Sequence, residues 1–179
     1  MSMALLPPMI VPVDGPVVFL AGPIKGAPDW QAEATQWFAD SAPGITVASP
    51  RRPRLPGEFD YAGQVDWETH FLRRAADNGV ILFWLAREVV SIPGRAYAQT
   101  TRFELAEWKV RHERDGVRLV VGIEDGFTGE RYIRHCFAQD CPRVPLVTTL
   151  PEACAAATML AGLPSGAFLL LPGGEPKTD

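Results

Sequence analysis

In AQTTRFELAEW, residues 98–108, Glu104 stands three residues after Thr101, where a helix pattern begins. Thr-x-x-Glu is the spacing of a capping box, in which Thr101 caps the helix and Glu104 reaches back to the Thr101 amide. The same position has a chemical use. The partial positive charge of a helix N-terminus holds a carboxylate ionised, and an ionised carboxylate aimed into a cleft is a nucleophile. Both readings put Glu104 in one place, and spacing alone does not choose between them.

A second stretch suited to a ligand is FLAGPIKG, residues 19–26, where an apolar run enters the turn Gly22, Pro23, Ile24, Lys25, Gly26. The two glycines allow backbone shapes closed to other residues, and successive amides ahead of a helix form an anion-binding concavity to which Lys25 adds charge. The alternative is a plain handover from strand to helix. The stretch matches neither the dinucleotide-binding nor the P-loop glycine pattern. The local basic cluster is Arg51, Arg52 and Arg54, of which Arg51 and Arg52 suit either a phosphate or ion pairs with nearby acids.

These residues need a scaffold, and the apolar pattern describes one. Short, nearly continuous apolar runs at 17–21, 45–49, 79–85, 117–123 and 144–148 read as strands covered on both faces. Helical stretches alternate with them at 28–41, 64–78, 101–114, 128–138 and 151–161. Five βα units predict an α/β chain folded as a three-layer α/β/α sandwich around a five-stranded parallel sheet. In such sheets ligands sit beyond the carboxyl ends of the strands, where strand order reverses. The loops at 22–28, 50–63, 86–100 and 124–129 therefore come first.

Composition restricts the setting. A chain of 179 residues with 47% apolar and 21% charged residues supports one domain over 1–179, with 1–15 and 164–179 as extended arms. A net charge of −4 without a basic block argues against a nucleic-acid polymer as partner. No apolar run reaches membrane-spanning length, and three cysteines without a CxxC pair indicate a reducing, cytoplasmic setting. His70, His112 and His135 are widely separated, and His135 and Cys136 with Cys141 lack the spacing of a closed zinc site, so no metal is expected. A serine nucleophile elbow is absent.

Taken together, FLAGPIKG, SPRRP, QVDWETHFLRRAADNGVILFW and QTTRFELAEW resemble the nucleoside 2-deoxyribosyltransferase family, in its divergent branch, from residue 17 to about 123. The resemblance implies a flavodoxin-like, Rossmann-like sandwich that moves 2-deoxyribose between bases, or hydrolyses an N-glycosidic bond, through a covalent glycosyl-glutamate and without a cofactor. It implies Glu104 as nucleophile, a nucleoside or nucleotide and a free nucleobase as partners, and a homo-oligomer, dimer or higher. Asp66 and Glu68 in QVDWE are the candidates for the family's acidic sugar-binding residue, and on a helix they point in different directions. Trp30, Trp67, Trp84, Phe59, Tyr61 and Tyr97 either flank a base or fill core, with Phe59 and Tyr61 the ones placed for stacking. Two departures stand out. Phe19 occupies the place of a tyrosine that positions the nucleophile in many members, and an acid found shortly before the nucleophile in some is replaced by Tyr97, Ala98 and Gln99. Gln99 or Thr100 would then bond the base.

Overall fold

The computed structural model describes residues 4–52 and 60–162. Phe59, Arg54 and the segment from Leu163, with its apolar Phe168 to Leu171, lie outside the described residues. The strands are β1 (Ala4–Leu5), β2 (Val17–Ala21), β3 (Thr46–Ala48), β4 (Gly79–Leu85), β5 (Leu119–Ile123) and β6 (Leu146–Val147). The helices are α1 (Trp30–Ser41), α2 (Tyr61–Asp77), α3 (Gln99–Asp115), α4 (Glu130–Asp140) and α5 (Leu150–Ala161).

All strand pairs are parallel, in the order β1-β3-β2-β4-β5-β6. The sheet therefore has six strands rather than the five expected. The extra one is a two-residue pairing of the N-terminal arm with β3, too short to leave an apolar run in the sequence. Side chains alternate between two cores as the pleat requires. Val17, Phe19 and Ala21 pack with Trp67 and Phe71 of α2, Leu105 and Trp108 of α3 and Phe137 of α4. Val18 and Leu20 pack with Trp30 and Phe38 of α1 and with Ala153 and Ala157 of α5. The result is a three-layer α/β/α sandwich.

Two helices start earlier than their patterns suggest. Asp60 caps α2, its Oδ1 accepting from Gly63 N at 2.9 Å, so the helix begins at Tyr61 and not near residue 64. Helix α3 begins at Gln99, behind Ala98 in the left-handed region (φ 55°), with no side-chain cap. The expected box at Thr101 and Glu104 is therefore absent, because both residues lie inside the helix. A capping box does form at α5, between Thr149 and Glu152.

The N-terminal arm is tied along α2. Trp67 Nε1 donates to Met9 O at 2.9 Å, and Arg74 Nη2 donates to Val13 O at 3.1 Å and Gly15 O at 2.6 Å.

Strand order reverses between β2 and β4, where the chain departs in opposite directions along the sheet. Gly22, one residue past β2, passes directly over the end of β4. A Cβ there would overlap the Trp84 carbonyl oxygen and come within 2.7 Å of the Trp30 ring. Neither neighbour can yield, since one is backbone and the other a tryptophan 1% exposed. Gly22→Ala should therefore lower unfolding stability by about 2–3 kcal/mol in a urea titration, the usual scale of overpacking.

Candidate active site

Loop one, between β2 and α1, is shaped through its carbonyls. Trp30 Nε1 donates to Pro23 O at 2.9 Å, and Arg51 Nη2 donates to Ile24 O at 3.3 Å and Pro28 O at 3.1 Å. Gly26 O accepts from the amides of Val89 (2.8 Å) and Val90 (3.1 Å), which joins loop one to the loop after β4. Gly26 has φ +83°, and a Cβ on it would come within 2.7 Å of Val90 O and 3.3 Å of the Tyr97 ring, so glycine is required here too. Tyr97 completes the link by donating its hydroxyl to Ala86 O at 2.7 Å. The loop after β5 joins as well, because Glu124 accepts from Arg87 N at 2.9 Å and pairs with its guanidinium at 3.4 Å.

Arg51 thus serves the scaffold. Its Nε donates to Gln31 Oε1 at 2.9 Å and pairs with Asp29 at 3.1 Å, and with two carbonyls on Nη2 the fork is occupied by loop one and the start of α1. Of the two roles open to it in the sequence, the structure favours the internal pairing. Arg52 is half-buried beside it, and Lys25 is exposed at the tip of loop one.

Helix α2 turns Trp67, Phe71, Leu72 and Ala75 toward the sheet. Glu68 lies on the inner side of this stripe and Asp66 on the outer, since residues two apart on a helix are about 200° apart. Glu68 is half-buried, whereas Asp66 is exposed. Asp66 lines a shallow surface concavity of about 430 Å³ with Thr69, His70, Arg73, Arg74 and Asp77, all on the outer face of α2. That concavity contains neither Glu68 nor Glu104. Helix α3 buries Thr101, Leu105, Trp108 and His112, and Glu104 lies in this stripe. Glu68 and Glu104 feel each other's charge, so the structure brings these two carboxyls together and leaves Asp66 apart.

Glu104 is not held ionised by the helix terminus. Burial, then the charges of Glu68 and Glu107, push its carboxyl up to about 7. The physical reason is position: Glu104 is the sixth residue of α3, past the first turn in which the dipole acts. Burial also raises the Glu68 carboxyl, and a hydrogen bond from Gln64 Nε2 to Oε1, 2.7 Å, partly offsets this. Both carboxyls are thus held toward their neutral forms.

Phe19 is 2% exposed and tilted against Trp67, with ring centroids 6.1 Å apart, so it packs in the core beneath α2. Pro23 is buried and Ile24 half-buried in loop one, while Tyr61, Gln99 and Thr100 are exposed at the first turns of α2 and α3. Trp30, Trp67 and Trp84 are all buried, which makes them core. Gln64 was not singled out by sequence reasoning, although its i,i+4 spacing to Glu68 is visible there. Among the described residues no group of three or more His, Cys, Asp or Glu side chains could hold a metal ion, and no helix is long and apolar enough to cross a membrane.

A parallel α/β sheet with an acidic pair between two helices packed on one face fits a glycosyl-transferring enzyme. A family model described as nucleoside 2-deoxyribosyltransferase like matches residues 15–126, a span holding loop one, α2, α3 and all of β5. The chain belongs to that family, whose members are glycosyl-transferring enzymes. No curated protein matches it.

The raised Glu104 carboxyl has a consequence for stability. Its folded-state pKa, near 7, exceeds the ordinary value of 4.5, so the folded protein binds the proton more tightly than the unfolded chain. The associated stability is fully present below about pH 4.5 and is lost as pH rises through 7. Glu104→Gln should accordingly be more stable than wild type at pH 8, by on the order of 2 kcal/mol, with the difference shrinking toward pH 4. Urea titrations at the two pH values measure it.

Proposed function

We propose that the protein exchanges bases on 2-deoxynucleosides, with Glu104 as the nucleophile and Glu68 binding a sugar hydroxyl. The observation that carries this reading is that Glu104 and Glu68 are both half-buried and feel each other's charge. In the first half-reaction a Glu104 carboxylate oxygen bonds to the anomeric carbon as the N-glycosidic bond breaks, and the bonding electrons leave with the base, which takes up a proton. In the second, a ring nitrogen of an acceptor base attacks the same carbon, its proton passes to solvent, and Glu104 departs as carboxylate. Ionised Glu104 in a poorly solvated site favours the cation-like sugar of both transition states.

Exposed Tyr61, Gln99 and Thr100 supply base contacts at the rim, and Pro23 and Ile24 supply the wall on the loop-one side. Exposed Val89, Val90 and Phe103 support a homo-oligomer, since these apolar side chains gain by being covered. The chain acts as one cytoplasmic domain and needs no cofactor. A hydrolase is the second reading: the same ester opened by water would release the free base. Lys25, exposed on loop one, favours a 5-phosphate on the substrate in that case. Buried Phe19, which offers no hydroxyl, favours a third reading as a nucleotide-binding module.

Incubation of 2-deoxyinosine with adenine should yield deoxyadenosine, followed by chromatography. Glu104→Ala should lose at least about a thousandfold in rate, as expected for removal of a nucleophile. The wild-type rate should rise with pH through about 7, because Glu104 must be ionised to attack. Free hypoxanthine without exchange would identify the hydrolase, and binding without either product would leave the noncatalytic module.

A further inference from the structure

Gln64 sits on the inner stripe of α2, one turn before Glu68. Its Nε2 donates to Glu68 Oε1 at 2.7 Å and to Pro50 O at 3.0 Å. Both neighbours are acceptors, so the amide has one workable orientation and both of its hydrogens are used. The other end of the group is Oε1, which is buried and has no hydrogen-bond partner among the described residues. A buried amide oxygen without a donor has lost its water and gained nothing in return. The fixed amide therefore presents an acceptor beside the sugar-binding carboxylate, and what suits it is a hydroxyl or N–H brought by a ligand.

We propose that Gln64 is the positioning residue for Glu68, clamping one carboxylate oxygen to the β3–α2 connection, and that its Oε1 accepts a hydrogen bond from a hydroxyl of the bound sugar. The second half rests on the nucleoside reading above; the first does not. The clamp leaves Glu68 Oε2 to receive a hydroxyl of its own, so the sugar is read by a carboxylate and an amide set one helical turn apart. Glu104 of α3 is the titratable group that faces Glu68 from the neighbouring helix.

The test uses Gln64→Met, which keeps length but neither donates nor accepts, and Gln64→Asn as a shorter amide should the first variant not fold. Carbon NMR titration of the Glu68 side chain should show it titrating at higher pH in the variant than in wild type, because the hydrogen bond that favours its ionised form is gone. In kinetics, kcat/KM for 2-deoxyinosine should fall about tenfold or more. The fall should be much smaller for whichever of 2,3-dideoxyinosine and 2,5-dideoxyinosine lacks the hydroxyl that Gln64 reads. An unchanged Glu68 titration would overturn the clamp, and equal losses on all three substrates would overturn the hydroxyl contact. Should wild type turn over none of them, the nucleoside reading fails on its own, the titration still decides the clamp, and calorimetric affinities for the same three compounds decide the contact, with no binding counting against it.

Discussion

Two half-buried carboxyls of like charge, Glu68 and Glu104, feel each other beside a hydrophobic layer. The guanidinium of Arg51 is bound elsewhere, to Gln31, Asp29 and two loop-one carbonyls. Desolvation and mutual repulsion both resist ionisation. The proton retained near neutrality is the result, and giving it up above about pH 7 destabilises the folded chain relative to a version with a neutral side chain at position 104. Sites that trade stability for chemistry have this character.

The loops at the carboxyl ends of β2, β4 and β5 are joined to one another. Gly22 lets loop one pass over the Trp84 carbonyl, Gly26 receives two amides from the loop after β4, and Tyr97 returns to Ala86 O. Helix α3 leaves this assembly through Ala98, in a conformation that disfavours a Cβ. The packed stripe of α3, from Thr101 through Leu105 and Trp108, then sets where Glu104 stands. The position of Glu104 therefore follows from a backbone path set at the ends of β2 and β4.

Much of this was legible in the residues themselves. Strands buried on both faces leave continuous apolar runs, and helices between them leave the alternation that defines a parallel sheet, so the sandwich and the ranking of its loops could be read directly. Strand β1 could not, because two residues held by pairing alone carry no pattern. The start of α3 was hidden for a related reason: it is imposed by the loop entering it, and the Thr101 to Glu104 spacing pointed to a cap that the helix does not use. That Glu68 is half-buried and Asp66 exposed follows from the face on which Trp67 and Phe71 are buried. Gln64 escaped notice because its role lies in contacts to the Glu68 carboxylate and the Pro50 carbonyl, which its residue type does not announce.

The central claim is that Glu104 carries the sugar between the two half-reactions. Its most direct test is peptide mass spectrometry after reaction with a 2-fluoro-2-deoxynucleoside, whose fluorine slows opening of the glycosyl ester. The account predicts a fluorodeoxyribosyl adduct on the tryptic peptide Phe103–Lys109, located by fragmentation to Glu104 and not Glu107. An adduct on Glu68, or base release with every peptide unmodified, would contradict it.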